Sequence, residues 1–351
     1  MNERYGYESL RQFAITLLSR SGMDAAIADV VVEVLLEGDL LGKSTHGLLL
    51  LNPYLASIAK GQMALSGVPE VVKEVAGNIA LDAGYLPGPY VVKQAIERMR
   101  EKVESFGVTT ATISRAHHIA CLQAYLKPVT DLGYMIVLTC SDPSCVSVAA
   151  YAGVKPVCTP NPIAVGIPTQ STPILIDISA STTTNGRTLQ LYKQGLKYPS
   201  DCLQTAQGVP TNDPAALFEE PPGTILPLGG PDYGYKGFAL AIIVEALTAA
   251  LCGHGRSDDP GQWGASVFLQ LIDPKCFGGL DHFRRETESF AQTCRHSGPD
   301  PSRPTVRMPG DAALKLRETQ LAQGVALHPS IMPALQKWTE ELAVIVPEPL
   351  R

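Results

Sequence analysis

The hydrophobic pattern changes its period near Glu70, and that change limits what this chain can fold into. Before it, apolar residues recur at helical spacing. Leu10, Phe13, Ala14, Leu17 and Leu18 form one stripe, and Ile27, Val30, Val31, Val34 and Leu35 form a second. Gly22 is a C-cap for the first helix and Asp24 an N-cap for the second. A third helix is expected over Leu48 to Lys60, stopping at Gly61, with Pro53 causing a kink or a late start. After Glu70 short strand-like runs alternate with helices. Val71–Val75, Asn78–Asp82, Val108–Ile113, Met135–Leu138, Ile174–Ile178 and Val267–Ile272 read as strands. Helices are expected over Tyr90–Phe106, Ala120–Leu132, Phe238–Leu251, Gly279–Arg295, Ala312–Gly324 and Pro333–Val344, with a Pro-rich loop over Asp300–Pro304.

Composition narrows the function classes. The 351 residues are 45% hydrophobic and 18% charged, enough for a large core and two domains. A net charge of −6 with no basic block argues against a nucleic-acid surface. No apolar run reaches the roughly 18 residues of a membrane span, and Met1 to Arg20 does not read as a signal peptide. The eight cysteines include no C-x-x-C pair, so reduced thiols in a cytoplasmic protein are the simplest account.

Four stretches carry candidate chemistry. Ser44-Thr45-His46-Gly47 sets two hydroxyls and a glycine beside an imidazole, the side chain that exchanges protons near neutrality. The bland alternative is a helix cap by Ser44 or Thr45 with an incidental histidine. Gly38 to Ser44 imitates a phosphate loop, but it has three residues between its glycines where four are needed. A nucleotide-triphosphate binder is therefore a distant alternative. His117-His118 either orients a ligand or serves as a cap and a surface residue, and no carboxylate nearby sits at metal-ligand spacing. The small-residue run from Ser179 through Asn185 and Gly186 lines a cofactor pocket or forms an ordinary loop. Glycines around Lys236 before an apolar helix suit an anion. No G-x-G-x-x-G follows a strand, so any dinucleotide binds without a Rossmann fold.

In order, Ser44-Thr45-His46-Gly47 with Tyr54 and Gly61, His118-Ile119, Ser141-Asp142-Pro143, Asn161-Pro162-Ile163-Ala164, Asp177-Ile178-Ser179-Ala180-Ser181, Gly208 to Pro214, Pro227-Leu228-Gly229-Gly230, Tyr235-Lys236-Gly237 and Pro309-Gly310 resemble the malate/L-lactate dehydrogenase family. That family also holds ureidoglycolate, sulfolactate and diketogulonate oxidoreductases and piperideine-carboxylate reductases. The likeness runs from about Tyr7 to Val344.

The resemblance implies an α/β fold of α+β type. Its central, mostly antiparallel, non-Rossmann sheet (70–324) is flanked by helices, and a helical domain (1–69) is completed by 325–351. It implies a homodimer that uses NAD or NADP to pass a hydride to or from a small 2-oxo or 2-hydroxy acid. A cyclic imine acid is the alternative substrate, and a catalytically weak ligand-binding relative the other alternative. His46 matches the proton donor, Thr45 or Ser44 its hydroxyl partner, and His118 a second active-site histidine. His118, Ser141, Ser179, Ala180, Ser181, Lys236 and Met308-Pro309-Gly310 match cofactor contacts. Lys43, Leu50, Thr159, Asn185, Gly186 and Arg187 are the substrate-side candidates. Leu50 stands where many members have a carboxylate-binding arginine, with Lys43 or Arg187 to compensate. Ala120 replaces a usual glycine, and Cys202 and Thr205 replace a tryptophan and an aspartate. The run Leu48 to Leu51 is expected at a dimer interface, because four leucines exceed what one helix face buries.

Overall fold

A computed structural model describes residues 3–298 and 305–350, so the expected loop Asp300–Pro304 lies outside the described residues. Helices α1 (Tyr7–Arg20) and α2 (Ala25–Leu40) bury the two expected stripes, and the Asp24 side chain accepts from the Ala26 amide at 2.9 Å. Arg4–Tyr5 pairs antiparallel with Val325–Ala326, which ties the two ends of the chain together.

The central sheet has seven strands: β1 (Glu70–Val75), β2 (Asn78–Asp82), β3 (Val108–Ala116), β4 (Met135–Ser141), β5 (Pro162–Ile167), β6 (Ile174–Ser179) and β7 (Ala265–Ile272). Their order across the sheet is β1-β2-β3-β7-β4-β5-β6. Of its six pairings only β2–β3 is parallel. A parallel pair needs a long crossover, and helix α4 (Gly88–Phe106) supplies it. One continuous core runs from α1 and α2 through α4 to the sheet. A smaller core under a second sheet of short strands holds Val148, Leu203 and Ile225.

Register decides where chemistry can gather. Ala265 lies opposite Ala116, Ser266 opposite Ser141, and Pro162 opposite Ser179. The last residues of β3, β4 and β6 and the first of β5 and β7 thus meet at one end of the sheet. Loops leaving that end carry the His117-His118 pair and the Ser/Thr run.

Several elements differ from expectation. No helix opens at Ala120; the chain makes a 3-10 turn over Leu122–Tyr125 and then a short α5 (Leu126–Asp131). Its path is held to β6 instead, since the Gln123 amide donates to Asp177 Oδ2 at 3.2 Å and its side chain to the Leu175 carbonyl at 2.9 Å. Helix α3 starts late, at Leu51, with Pro53 in its first turn (Leu51–Ala59). Ser44–His46 forms a 3-10 turn of its own, and neither hydroxyl caps a helix. Helix α6 (Asn185–Gln194), hidden in the Ser/Thr run, is capped by the Thr184 hydroxyl, which accepts from the Arg187 amide. Helix α7 (Tyr235–Glu245) begins before Phe238 and ends in a π turn over Ala246–Ala250. Helices α8 (Leu280–Arg295), α9 (Asp311–Gln323) and α10 (Ile331–Glu341) complete the chain. Leu48, Leu50 and Leu51 are buried within this one chain. The leucine run is therefore core, and it gives no argument for a dimer interface.

Gly88 links fold to site. It opens α4 directly against the His117 and His118 carbonyls, and a Cβ there would stand 2.6 Å from the His118 carbonyl carbon. Backbone cannot yield as a flexible side chain can. Gly88→Ala is expected to lower stability by about 1–3 kcal/mol, the cost of overpacking, and to lower activity as the histidine segment shifts. Urea denaturation checks this; an unchanged midpoint refutes it.

Candidate active site

A cavity of about 730 Å³ opens at the gathered end of the sheet. Three segments bring its titratable groups together: the Ser44–His46 turn, the extended stretch after β3, and β6. The His46 and His118 rings lie 26° from parallel with centroids 5.9 Å apart. Thr45 Oγ1 sits 2.8 Å from His46 Nδ1, so Thr45 is the hydroxyl that meets the ring. The His46 turn rests on Asp39, which is 3% exposed and accepts from the Leu48 amide at 2.7 Å. Burial pushes the Asp39 carboxyl up to about 7, and the Leu48 bond only partly offsets this. Gly47 is needed here, because a Cβ at that position would run into the Asp39 carboxylate.

Desolvation lowers the pKa of His46; the Asp177 charge opposes that shift and the Lys43 charge adds to it. His118 is held well below its ordinary value by burial, then by His46 and His117. The Tyr54 hydroxyl lies 3.1 Å from His118 Nδ1 and donates to the His118 carbonyl at 3.0 Å. Trp263 packs on both adjacent histidines, 4.8 Å from each ring centroid. His117 is fully buried, and neither ring nitrogen has a partner among the described residues. The alternative of a cap plus a surface residue therefore does not describe this pair.

Of the sequence candidates, Lys43, Thr45, His46, Leu50, His118, Ser141, Thr159, Ser179, Asn185 and Gly186 line the cavity. Others do not reach it. Ser44 opens the turn without lining the cavity. Ala180 and Ser181 are buried and committed elsewhere: the Ala180 carbonyl accepts from the Leu228 amide, and Ser181 Oγ donates to the Thr183 carbonyl at 2.6 Å. Arg187 is exposed on the outer side of the first turn of α6. Lys236 is exposed and held over tyrosine rings, 5.4 Å from the Tyr233 centroid and 5.9 Å from that of Tyr235. The Met308-Pro309-Gly310 turn packs on the far end of β6, where the Pro309 carbonyl accepts from the Leu175 amide.

Sequence reasoning missed four groups. Asp142, Asp177 and Trp263 line the cavity, and Asp39 supports it. Asp177 lay in plain view in its motif, but nothing local showed that β6 would end beside His46. Asp39 is the only one of the four acids of α2 that is buried, and nothing in the sequence separates it from Asp29, Glu33 and Glu37.

The lining suits a nicotinamide cofactor. Small and hydroxyl side chains at the strand ends leave room for a planar ring, and Asn185 Oδ1 is a buried acceptor without a donor. Ser141 Oγ and Thr248 Oγ1 lie 3.0 Å apart, which fixes the rim of that space. Among the described residues no group of three or more His, Cys, Asp or Glu could hold a metal ion, and no helix is long and apolar enough to cross a membrane.

Comparison with known proteins agrees with this geometry. Residues 5–336 match the family model described as malate/L-lactate dehydrogenase. The L-lactate dehydrogenase of Cupriavidus necator is 28% identical over 97% of this chain and 98% of its own. A Delta(1)-pyrroline-2-carboxylate/Delta(1)-piperideine-2-carboxylate reductase of Pseudomonas putida is 27% identical over 95% of this chain and 96% of its own. The crystal structure of malate dehydrogenase from Entamoeba histolytica superposes with a TM-score of 0.92, covering 99% of this chain and 100% of that one at 22% identity, which shows the shared fold.

The sealed His117 sets an acid limit. Burial lowers its pKa from 6.5 to about 4. Between those values the unfolded chain binds a proton that the folded chain refuses, so stability falls as pH falls through that window. Asp39 titrates in the opposite sense, but it is common to the wild type and any His117 variant. His117→Phe is therefore expected to gain in melting temperature over the wild type as pH drops from 6.5 to 4. A difference that does not change with pH refutes this.

Proposed function

The chain belongs to the malate/L-lactate dehydrogenase family, and we propose that it interconverts a 2-oxo monocarboxylic acid and its 2-hydroxy acid with NAD(H) or NADP(H). The observation that carries this reading is the pair of facing imidazoles, His46 and His118, in one cavity with small hydroxyl-bearing strand ends. The cofactor, when bound, supplies or accepts the hydride; Ser141 and Ser179 are the residues that would hold it. The protein's own task is the proton. Reduction of a carbonyl places negative charge on oxygen, and a positioned acid speeds such a step by about 10²–10⁴-fold. His46 is that acid. Thr45 orients its Nδ1, Asp39 supports its turn, and the Asp177 charge favours its protonated form.

The substrate carboxylate meets Lys43, the one cation among the cavity-lining residues. Leu50, buried in the same wall, cannot make the bidentate pair that an arginine makes with a second carboxylate. One carboxylate and an apolar remainder therefore suit this site better than a dicarboxylate.

A second reading has a specific observation behind it. Asp142 and Asp177 both line the cavity against a single lysine. That excess of negative charge suits a protonated cyclic imine acid, the substrate class in the name of the Pseudomonas putida relative. A panel of 2-oxo monocarboxylates, dicarboxylates and cyclic imine acids, read by nicotinamide absorbance with NADH and with NADPH, decides between them. A dicarboxylate with the highest kcat/KM overturns the first reading.

The protein is proposed to work as a homodimer. Past Lys236, helix α7 turns an apolar face outward, with Ile242 54%, Ile243 51% and, past the π turn, Leu251 57% exposed. A contiguous apolar face of this kind marks an association surface. Light scattering should give a dimer, and Ile242→Glu should shift it toward monomer; a monomeric, fully active wild type refutes this.

His46→Ala should lower kcat by at least ~10²-fold with cofactor affinity nearly unchanged. Because the His46 pKa is lowered from 6.5, kcat/KM for reduction should decline as pH rises through a value below 6.5, and that for oxidation should rise through the same value. An unchanged profile in His46→Ala would assign the proton elsewhere.

A further inference from the structure

The hydrogen bonds around His118 settle more than its position. The Ala120 amide lies 3.3 Å from His118 Nδ1, with its hydrogen directed at the ring. An amide N–H can only donate, so Nδ1 must present a lone pair. The Tyr54 hydroxyl stands 3.1 Å from the same nitrogen and 3.0 Å from the His118 carbonyl, so its single proton has an acceptor in either direction. A neutral imidazole carries one N–H. With Nδ1 used as an acceptor, that hydrogen belongs on Nε2. Nε2 has no polar partner among the described residues, while the ring lines the cavity and stacks on His46. Around it stand His46, His117, Tyr54 and Trp263. The neighbouring histidines oppose a second proton on the ring, as does its burial.

We propose that His118 is a fixed hydrogen-bond donor, locked as the Nε2–H tautomer by the Ala120 amide, that holds the substrate's carbonyl oxygen while His46 alone transfers the proton. The donor role rests on the reaction proposed above; the tautomer does not. In the reduction the oxygen gains one proton, from His46, and His118 keeps its own throughout. Tyr54 and the Ala120 amide are positioning groups, since they act through the ring. Ala120 adopts a left-handed backbone, φ +58°, a conformation that costs a residue with a side chain and that persists where the chain must turn back on the ring.

The test begins with the full-length protein labelled with ¹⁵N-histidine and free of cofactor. Side-chain nitrogen spectra distinguish the two tautomers, and His118→Gln or His118→Asn assigns the signal. The expected result is a hydrogen on Nε2, a bare Nδ1, and no titration between about pH 8 and 5, where an ordinary histidine titrates. A hydrogen on Nδ1, or a midpoint near the ordinary value, overturns the proposal. This readout needs no substrate, so its failure is distinct from failure of the proposed reaction.

Kinetics then test the role. The amide nitrogen of glutamine can stand near the place of Nε2 and donate without titrating. Against the best substrate, His118→Ala should lose roughly 10²–10³-fold in kcat, as expected for a lost donor to a developing oxyanion. His118→Gln should recover at least about tenfold of that loss, within the same range, and keep the wild-type pH profile. Glutamine no better than alanine, or loss of the pH limb in His118→Gln, overturns the donor role. Tyr54→Phe should raise KM and leave the pH limb in place, because it loosens the ring without touching the acid; a lost limb there also overturns it.

Discussion

The pairing of β7 with both β3 and β4 is the constraint on which the rest depends. β7 lies between two strands that end at the same level, and its first residues, Ala265 and Ser266, face Ala116 and Ser141. A slip of one residue would reverse every side chain on the strand. Val267, Leu269 and Leu271, all fully buried, share one face, and Gln270 and Ile272 on the other are only half-buried, which favours the observed register. Once it is fixed, the ends of β3 and β4 and the approach through Trp263 come to one place, and the loops beyond them need only be short. The site is thus a product of sheet register, with the helices providing lid and floor.

Desolvation is the dominant electrostatic force at that place. The rings of His46, His117 and His118 all lose proton affinity chiefly because water is excluded. Their neighbourhoods then separate them. His46 feels the Asp177 carboxylate, which works against its desolvation. His118 feels two other imidazoles, which act in the same direction as its burial. His117 is sealed between Tyr54 and Trp263. In the proposed mechanism three copies of one side chain thus take three parts: a proton carrier, a neutral donor and a wall.

Elements built on a strong local period were legible in the sequence. The stripes of α1 and α2, the Asp24 cap and the β1–β2 hairpin about Gly77 follow from residues a few places apart. The His46 and Ser141 neighbourhoods were legible as motifs. What could not be read depends on partners distant in sequence. The extended path through Ala120 exists because Gln123 is tied to β6, 52 and 54 positions away. Helix α6 was concealed because the same Ser/Thr residues that favour loops also cap helices, and only Thr184 was in position to do so. In the sequence Lys236 is read from its glycines alone, and the tyrosines it lies over in the fold have no place in that reading. The leucine run looked like an interface because a single helix was assumed, whereas a 3-10 turn followed by α3 distributes the leucines over two directions.

The Asp39 carboxylate beneath the His46 turn has a kinetic consequence. Its buried position brings its ionisation to about 7, within the range where the enzyme would be assayed. When it ionises, a negative charge appears under the segment that carries the acid, although Asp39 itself does not line the cavity. A pH–rate curve for this protein therefore has a foundation as well as an occupant. Under the proposed mechanism one inflection would belong to the His46 ring, and another to the group the ring's backbone stands on. Replacing the histidine removes the first and leaves the second in place.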